Sequence, residues 1–154
     1  MTAPALSTEH VFDIRALIGE PRSGAAGRLG QRLHIPITGG EVRGPRLTGR
    51  ILPGGSDWVL CRRDGSSLID AHYTIEADDG TPIYVRNRGL RVSSADVLER
   101  LRKGDPVSPE EMYFRSAPEF DAPEGPHGWL SDSLFVARLS REAGAVLVRV
   151  FRVC

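Results

Sequence analysis

Several features that would mark a particular class of protein are absent from this sequence of 154 residues. Twenty basic and twenty acidic side chains give a formal net charge of zero, so we expect neither nucleic acid nor a membrane as a partner. No apolar run approaches the roughly 20 residues of a membrane-spanning helix, and the first residues lack the basic and apolar regions of a signal peptide. The two cysteines, Cys61 and Cys154, do not make a disulfide framework, which favours a reduced, cytoplasmic location.

Motifs that bind nucleotides, bind metal ions or activate a nucleophile are missing as well. The Gly-rich segment 52–58 has no lysine and leads into a strand-like segment, so it is not a phosphate-binding loop. The four histidines are scattered, and neither Cys-x-x-Cys nor His-Glu-x-x-His nor Gly-x-Ser-x-Gly occurs. Asp70, His72 and Glu76 share one strand face, but they are spread too far along it to suit a single ion. We therefore expect no cofactor and no metal.

What the sequence does contain is about nine short strand-like segments at hairpin spacing. The residues between 93 and 104 form the one convincing helix, with Ser93 as the expected N-cap and Gly104 as its end. Segments 21–30 and 118–128 show no periodicity and are expected to be loops. The pattern predicts an all-β barrel or sandwich with one short helix, in a single domain over residues 1–154. The predicted strands are 10–18, 32–38, 47–52, 58–62, 112–116, 134–139, 145–153 and the two strands of a hairpin within 68–90.

That hairpin is the clearest local structure in the chain. Asp78-Asp79-Gly80 suits a three-residue loop in which Gly80 adopts a positive φ, and this loop length fixes the register of the two strands. The register places Asp70 opposite Arg88, where opposite charges would meet, and makes one face largely apolar and the other polar. The polar face consists of Asp70, His72, Glu76, Tyr84, Arg86 and Arg88.

The function of the polar face depends on which way it points. A half-exposed antiparallel sheet normally turns such a face to solvent, where cross-strand ion pairs contribute little. Inside a closed barrel, the same charges would have shifted pKa values and would bind an anionic substrate and move a proton. The second alternative makes Asp70, His72 and Tyr84 candidate catalytic residues. The candidate substrate-binding residues are then Arg50, Asp57, Arg86, Arg88, Tyr113 and Arg115.

Asp57 lies near the end of the Gly-rich segment 52–58, and its environment also has two interpretations. Its carboxylate is either bonded to neighbouring backbone N–H groups in a tight turn or placed at a barrel mouth, with Trp58 as an aromatic wall beside it.

Four segments together resemble a known family. They are Gly44-Pro-Arg-Leu-Thr-Gly-Arg-Ile-Leu-Pro-Gly-Gly-Ser-Asp-Trp58, the hairpin segment 73–89, Tyr113-Phe-Arg-Ser-Ala-Pro118 and Trp129-Leu130. In that order they are similar to the bacterial and fungal family of unknown function DUF3237, also called UPF0311. The resemblance covers nearly the whole chain after about residue 30 and implies a single β-barrel of lipocalin-like or allene-oxide-cyclase-like shape. It implies no assigned reaction, so it carries over no catalytic residue. It also implies a basic residue, often arginine, at the position of His72, which weakens a general-base role for this histidine.

Three classes of function stay open at this point. The first is a cofactor-independent cyclase, isomerase or lyase that acts on a small organic acid, with arginines holding the anion and Asp70 or His72 moving the proton. The second is a barrel that binds or carries a small organic ligand without chemistry, and the third is a structural or assembly module. Because segment 146–153 is apolar on both faces except for its arginines, we also expect a homo-oligomer.

Overall fold

The computed structural model describes all residues, 1–154, and contains ten strands and one α-helix. The helix α1 (Ala95–Lys103) follows β7, and single 3-10 turns lie at Pro109–Glu111 and Gly128–Leu130. No helix is long and apolar enough to cross a membrane. The strands are β1 (Thr8–Ile18), β2 (Arg22–Ala26), β3 (Gln31–Arg43), β4 (Gly49–Ile51), β5 (Gly55–Cys61), β6 (Ser67–Ala77), β7 (Pro82–Val92), β8 (Tyr113–Asp121), β9 (Phe135–Glu142) and β10 (Ala145–Val153).

The strands form one antiparallel sheet that closes on itself. Neighbours follow the order β1-β10-β9-β8-β7-β6; β6 then pairs with both β4 and β5, which pair with β3, and β3 pairs back to β1. Because β4 and β5 share one position in the wall and β2 lies beside β3, the result is a closed barrel of eight strands. The predicted all-β antiparallel barrel with one short helix is confirmed.

The barrel interior is packed more completely at one end than at the other. Phe12 contacts Phe120 and Trp129 edge-on, with ring centroids 5.5 and 6.5 Å apart, and these rings fill one end of the barrel. At the opposite end, Ile18 and Leu33 remain partly accessible. The second end therefore leaves space inside the barrel, and the polar groups described below lie toward it.

Three local features differ from the sequence-based prediction. Residues 22–26 form β2 rather than a loop; every residue of β2 is exposed, so this strand carries no apolar alternation to reveal it. Strand β8 continues through Pro118, because beyond Ser116 it pairs only with β7 and no longer with β9. The N-cap of α1 is Ser94, whose Oγ accepts a hydrogen bond from the Val97 N–H at 3.2 Å, and not Ser93.

The hairpin formed by β6 and β7 has the predicted register and loop. Asp70 lies opposite Arg88 and Thr74 opposite Tyr84. Gly80 adopts a φ of 86°, and its N–H donates to the Ala77 carbonyl at 2.8 Å. The face with Ile75 and its neighbours is buried, so the apolar stripe of the hairpin points into the barrel.

Candidate functional site

The polar face of the hairpin lies on the outer wall of the barrel. Alternate residues of β6 and β7 point inward, which leaves Asp70 36% exposed and Arg88 56% exposed at their side chains. The alternative in which this face lines a cavity is therefore wrong for Asp70, His72, Tyr84, Arg86 and Arg88. The physical reason is that the apolar stripe on the opposite face of the hairpin packs into the barrel interior.

Outward placement also changes how the charges pair. Asp70 accepts hydrogen bonds from Nε and a terminal nitrogen of Arg86, both at 3.2 Å, and lies 3.3 Å from His72 Nε2. The hydrogen bond from Arg86 lowers the pKa of Asp70. Arg88 pairs with Glu119 at 3.1 Å instead of with Asp70, so the predicted meeting of charges between Asp70 and Arg88 is not formed.

Asp57 differs from the other predicted site residues because its side chain lines the interior. On β5 the inward positions alternate through Gly55, Asp57 and Val59, and Oδ1 of Asp57 accepts a hydrogen bond from the Asp70 N–H at 3.1 Å. The donor is thirteen residues away in the chain, so the interpretation of Asp57 as a local turn residue is wrong. The pKa of Asp57 is raised from 3.8 to about 6, because burial and, to a smaller extent, the charge of Asp70 outweigh the hydrogen bond from the Asp70 N–H, which lowers it.

Two uncharged polar residues share the interior with Asp57. Tyr73 and Asn87 are both buried, and neither the Tyr73 hydroxyl nor the Asn87 Oδ1 has a hydrogen-bond partner. Asp57 and Asn87 flank Ala71 in one row across three strands, which separates their backbones by about 10 Å. All three polar side chains line a chamber of about 50 Å³ among apolar residues. Buried polar atoms without partners are uncommon in folded proteins, so these groups are free to bond a ligand.

A second chamber of about 110 Å³ adjoins the first at Asp57 and leads to the accessible end of the barrel. Its polar lining includes Arg91, Arg141, Cys61 and Ser67. A terminal nitrogen of Arg91 donates to the Ser67 hydroxyl at 3.3 Å, while its Nε is buried and has no partner. Burial lowers the pKa of Arg91, and the neighbouring charge of Arg141 lowers it further.

Sequence reasoning missed Tyr73, Asn87, Arg91 and Arg141. A signal was present for the first two, because the pairing of Ala71 with Asn87 and of Tyr73 with Val85 puts polar atoms into an otherwise apolar stripe. The two arginines lie on β7 and β9, and they approach each other because both of these strands pair with β8.

A model of the family described as "Protein of unknown function (DUF3237)" matches residues 6–153 of the chain. The chain belongs to the DUF3237 family. A UPF0311 protein of Rhodopseudomonas palustris is 39% identical over 150 residues, which cover 97% of this chain and 98% of the relative. A UPF0311 protein of Clostridium acetobutylicum is 34% identical over 149 residues, 96% of this chain and 94% of the relative.

Solved structures of DUF3237 relatives have the same fold. A conserved protein of unknown function from Rhodopseudomonas palustris superimposes with a TM-score of 0.92 at 38% identity, over 99% of this chain and all of the other. A β-barrel-like protein from Acinetobacter baumannii superimposes with a TM-score of 0.86 at 31% identity, over 99% of each chain. These comparisons show the family and the barrel fold, but they assign no reaction.

In this DUF3237 barrel the remaining predicted residues lie at separate places on the outer wall. Tyr113 and Arg115 line an outer groove of about 730 Å³ together with Arg88, and the Arg115 guanidinium lies 5.3 Å from the centre of the Tyr113 ring. Tyr84 and His72 line a different recess, of about 390 Å³. Arg50 forms an ion pair with Glu76 at 3.0 Å.

No cluster of three or more His, Cys, Asp or Glu side chains that could hold a metal ion is present. The pKa of Asp57 is raised, in contrast to the lowered pKa values of Asp64, Asp70, Asp79, Glu110 and Glu111.

Proposed function

We propose that this protein binds a small organic molecule inside the barrel and moves a proton with Asp57, as a cofactor-independent isomerase, cyclase or lyase. The observation that supports this proposal is the Asp57 carboxyl group, which lies in an apolar cavity with a pKa of about 6 and has no cationic partner. A group with a pKa close to neutral can both take up and release a proton at the pH of a cell.

The three interior polar groups fit one reaction type, proton transfer next to a carbonyl group. In its ionised form, Asp57 would remove a proton from the carbon beside a carbonyl, and the C–H electron pair would move toward the carbonyl oxygen. The Tyr73 O–H, which has no partner in the protein, would donate a hydrogen bond to the resulting enolate oxygen. In a substrate with a C=C bond next to that carbon, protonated Asp57 would return the proton to the far end of the C=C bond as the enolate reverts to the carbonyl. The C=C bond shifts by one position, and no oxidant or reductant is needed.

The size of the cavity limits the ligand. Sites for drug-sized molecules enclose about 300–1,000 Å³, whereas the two chambers of this barrel have volumes of about 110 and 50 Å³. The Asn87 Oδ1 provides an acceptor for a hydroxyl or amine of the ligand. We therefore expect a compact molecule with few heavy atoms rather than a lipid or a nucleotide.

Deuterium exchange tests the chemistry without knowledge of the substrate. Short-chain ketones, 2-oxo acids and acyl thioesters are incubated with the protein in deuterium oxide, and deuterium next to the carbonyl is followed by NMR. We expect exchange above the buffer rate with the native protein, and a loss of about 100-fold or more in Asp57→Asn. The matched control is Asp121→Asn, the same substitution at an exposed position on the outer wall of β8, which should leave exchange unchanged.

Two outcomes would contradict the proposed reaction. Equal exchange in Asp57→Asn and the native protein would remove Asp57 from the chemistry. Binding without any exchange would favour the alternative of a non-catalytic carrier, and native mass spectrometry would then look for a retained small molecule.

The cellular location and the oligomeric state of the protein are also proposals. Cys61 and Cys154 are both free thiols, which supports a reducing, cytoplasmic setting. The homo-oligomer stays a prediction; on β10, Leu147 and Phe151 have partly exposed outward side chains that a second copy would cover. A strictly monomeric mass in light scattering would contradict it.

A further inference from the structure

We propose that Arg91 and Arg141 form an anion-binding mouth to the interior cavity, so that the ligand is a small carboxylic acid held with its acidic group at the mouth. This inference rests on the proposed binding of a small molecule inside the barrel, and it adds the chemical class and the orientation of that molecule.

The first argument is a comparison with two outward-facing arginines on the same two strands, both of which have a carboxylate partner. On the same two strands, the outward-facing Arg88 pairs with Glu119 and Arg138 pairs with Glu110. Neither Arg91 nor Arg141 forms an ion pair with any carboxylate of the chain. Burial and the charge of Arg141 lower the pKa of Arg91; only Cys61 opposes them, and no carboxylate contributes.

The second argument is energetic. The partly buried Arg91 guanidinium is repelled by the charge of the exposed Arg141, and its buried Nε–H, which has no acceptor, has lost its hydration as well. An anion between the two groups would relieve both costs. The guanidinium fork matches the two oxygens of a carboxylate, which favours a carboxylate as the occupant.

The third argument is the direction in which such a ligand would lie. Arg91 and Asn87 are four residues apart on the inner face of β7, about 13 Å along the strand, and the long Arg91 side chain covers part of this distance. Asp57 lies in the row of Asn87. A carboxylate deep in the barrel would face the Asp57 carboxyl group in apolar surroundings, whereas at the mouth it meets two cations. The acidic end is thus held at the mouth, with the rest of a short carbon chain reaching toward Asp57 and Tyr73.

A matched pair of ligands tests the charge preference. Short unsaturated carboxylates such as crotonate are titrated against the corresponding neutral amides, and binding is followed by NMR of the arginine Nε–H groups. Protection of the Cys61 thiol from alkylation gives a second measure, because Cys61 lines the same mouth. We expect the acid to bind at least about tenfold more tightly than its amide, as an added ionic hydrogen bond would give.

Substitutions on the same two strands provide the controls. Arg141→Gln and Arg91→Gln should each remove most of the preference for the acid, and Arg91→Lys should keep part of it if Arg91→Gln does not fold. Arg138→Gln on β9 and Arg88→Gln on β7 carry the same change on the outer face, and they should leave the preference unchanged.

Each contrary outcome has a distinct meaning. If acid and amide bind equally while Asp57→Asn still abolishes deuterium exchange, the anion-binding mouth is wrong and the proposed function stands. Protection of Cys61 by inorganic phosphate but by no carboxylate would overturn the assignment of a carboxylic acid. If no acid or amide protects Cys61 or shifts the Arg91 resonance, ligand entry by this route is wrong, and the loss of exchange in Asp57→Asn is then judged separately.

Discussion

Asp57 and Asp70 are the same residue type on neighbouring strands, and the backbone N–H of one donates to the carboxylate of the other. Asp57 faces the barrel interior, where burial raises its pKa to about 6. Asp70 faces outward, where the hydrogen bond from Arg86 lowers its pKa. The two pKa values differ because the two side chains lie on opposite sides of the same sheet. Asp57 is therefore a candidate for proton transfer, whereas Asp70 belongs to a surface ion pair.

The largest effect on stability is expected for Asp57→Asn. The folded chain keeps the Asp57 proton up to about pH 6, whereas the unfolded chain releases it near pH 3.8. The free energy of unfolding therefore falls as the pH rises through this window, by about 3 kcal/mol for a shift of about two pKa units. Asp57→Asn should remove this penalty, so that the variant is more stable than the native protein by about 2–3 kcal/mol near neutral pH and little different near pH 3.8. Urea unfolding across this pH range measures the gain.

Asp70→Asn sharpens the comparison, because the sign of its effect is opposite. The lowered pKa of Asp70 contributes stability above the unfolded pKa, and this contribution is lost as the pH falls through the folded pKa. Asp70→Asn should therefore lower the stability slightly at neutral pH, since the ion pair is exposed and screened. A gain in the free energy of unfolding at neutral pH in Asp70→Asn, or a loss in Asp57→Asn, would contradict this comparison.

A loss of stability of about 1–3 kcal/mol is expected for Gly55→Ala. A Cβ atom at residue 55 would lie 2.5 Å from the Tyr73 Cβ and 2.5 Å from the His72 carbonyl oxygen, so the added methyl group would press on the wall that holds Tyr73. Thermal or urea unfolding would show the loss. Gly24→Ala is the matched control, because it adds the same methyl group on exposed β2 with nothing within 4 Å. Equal stability of the two variants would contradict the close contact at Tyr73.

The smallest effect on stability is expected for Tyr73→Phe. The Tyr73 hydroxyl is buried without a partner, so its removal should be neutral or stabilising by up to about 1 kcal/mol. Deuterium exchange should nevertheless fall by about 100-fold if the hydroxyl stabilises an enolate. Tyr84→Phe, on the exposed side of the neighbouring strand, should change neither quantity. A clear loss of stability in Tyr73→Phe would reveal a hydrogen bond within the protein instead.

Alternation and the Asp78-Asp79-Gly80 loop are local signals, and they were sufficient to predict the strands and the hairpin register. They left a barrel and a sandwich open, and the resemblance to DUF3237 implied the barrel. The sequence was not sufficient to predict which carboxyl group lies inside. Asp57 stands beside a Gly-rich turn that looks like an ordinary loop, whereas Asp70 stands among charges that look like a site.

The interior site also depends on contacts between distant segments. The chamber brings Asp57 together with Tyr73 and Asn87 from the next two strands, and the mouth joins Arg91 of β7 to Arg141 of β9. The pairing and register of three successive strands determine each of these distances, and no pattern within a single strand encodes them. In contrast, the sequence correctly grouped the polar residues of the hairpin on one face. It left open only whether that face points into the barrel or to solvent.

Direct titration of the Asp57 carboxyl group tests the central claim. Carboxyl-carbon NMR of the native protein, with the resonance assigned through Asp57→Asn and compared with that of Asp70, would give both pKa values in one experiment. The structure predicts a midpoint at about 6 for Asp57 and one below 3.8 for Asp70. A midpoint for Asp57 at or below that of Asp70 would contradict the assignment of Asp57 as the proton-transferring group of the barrel.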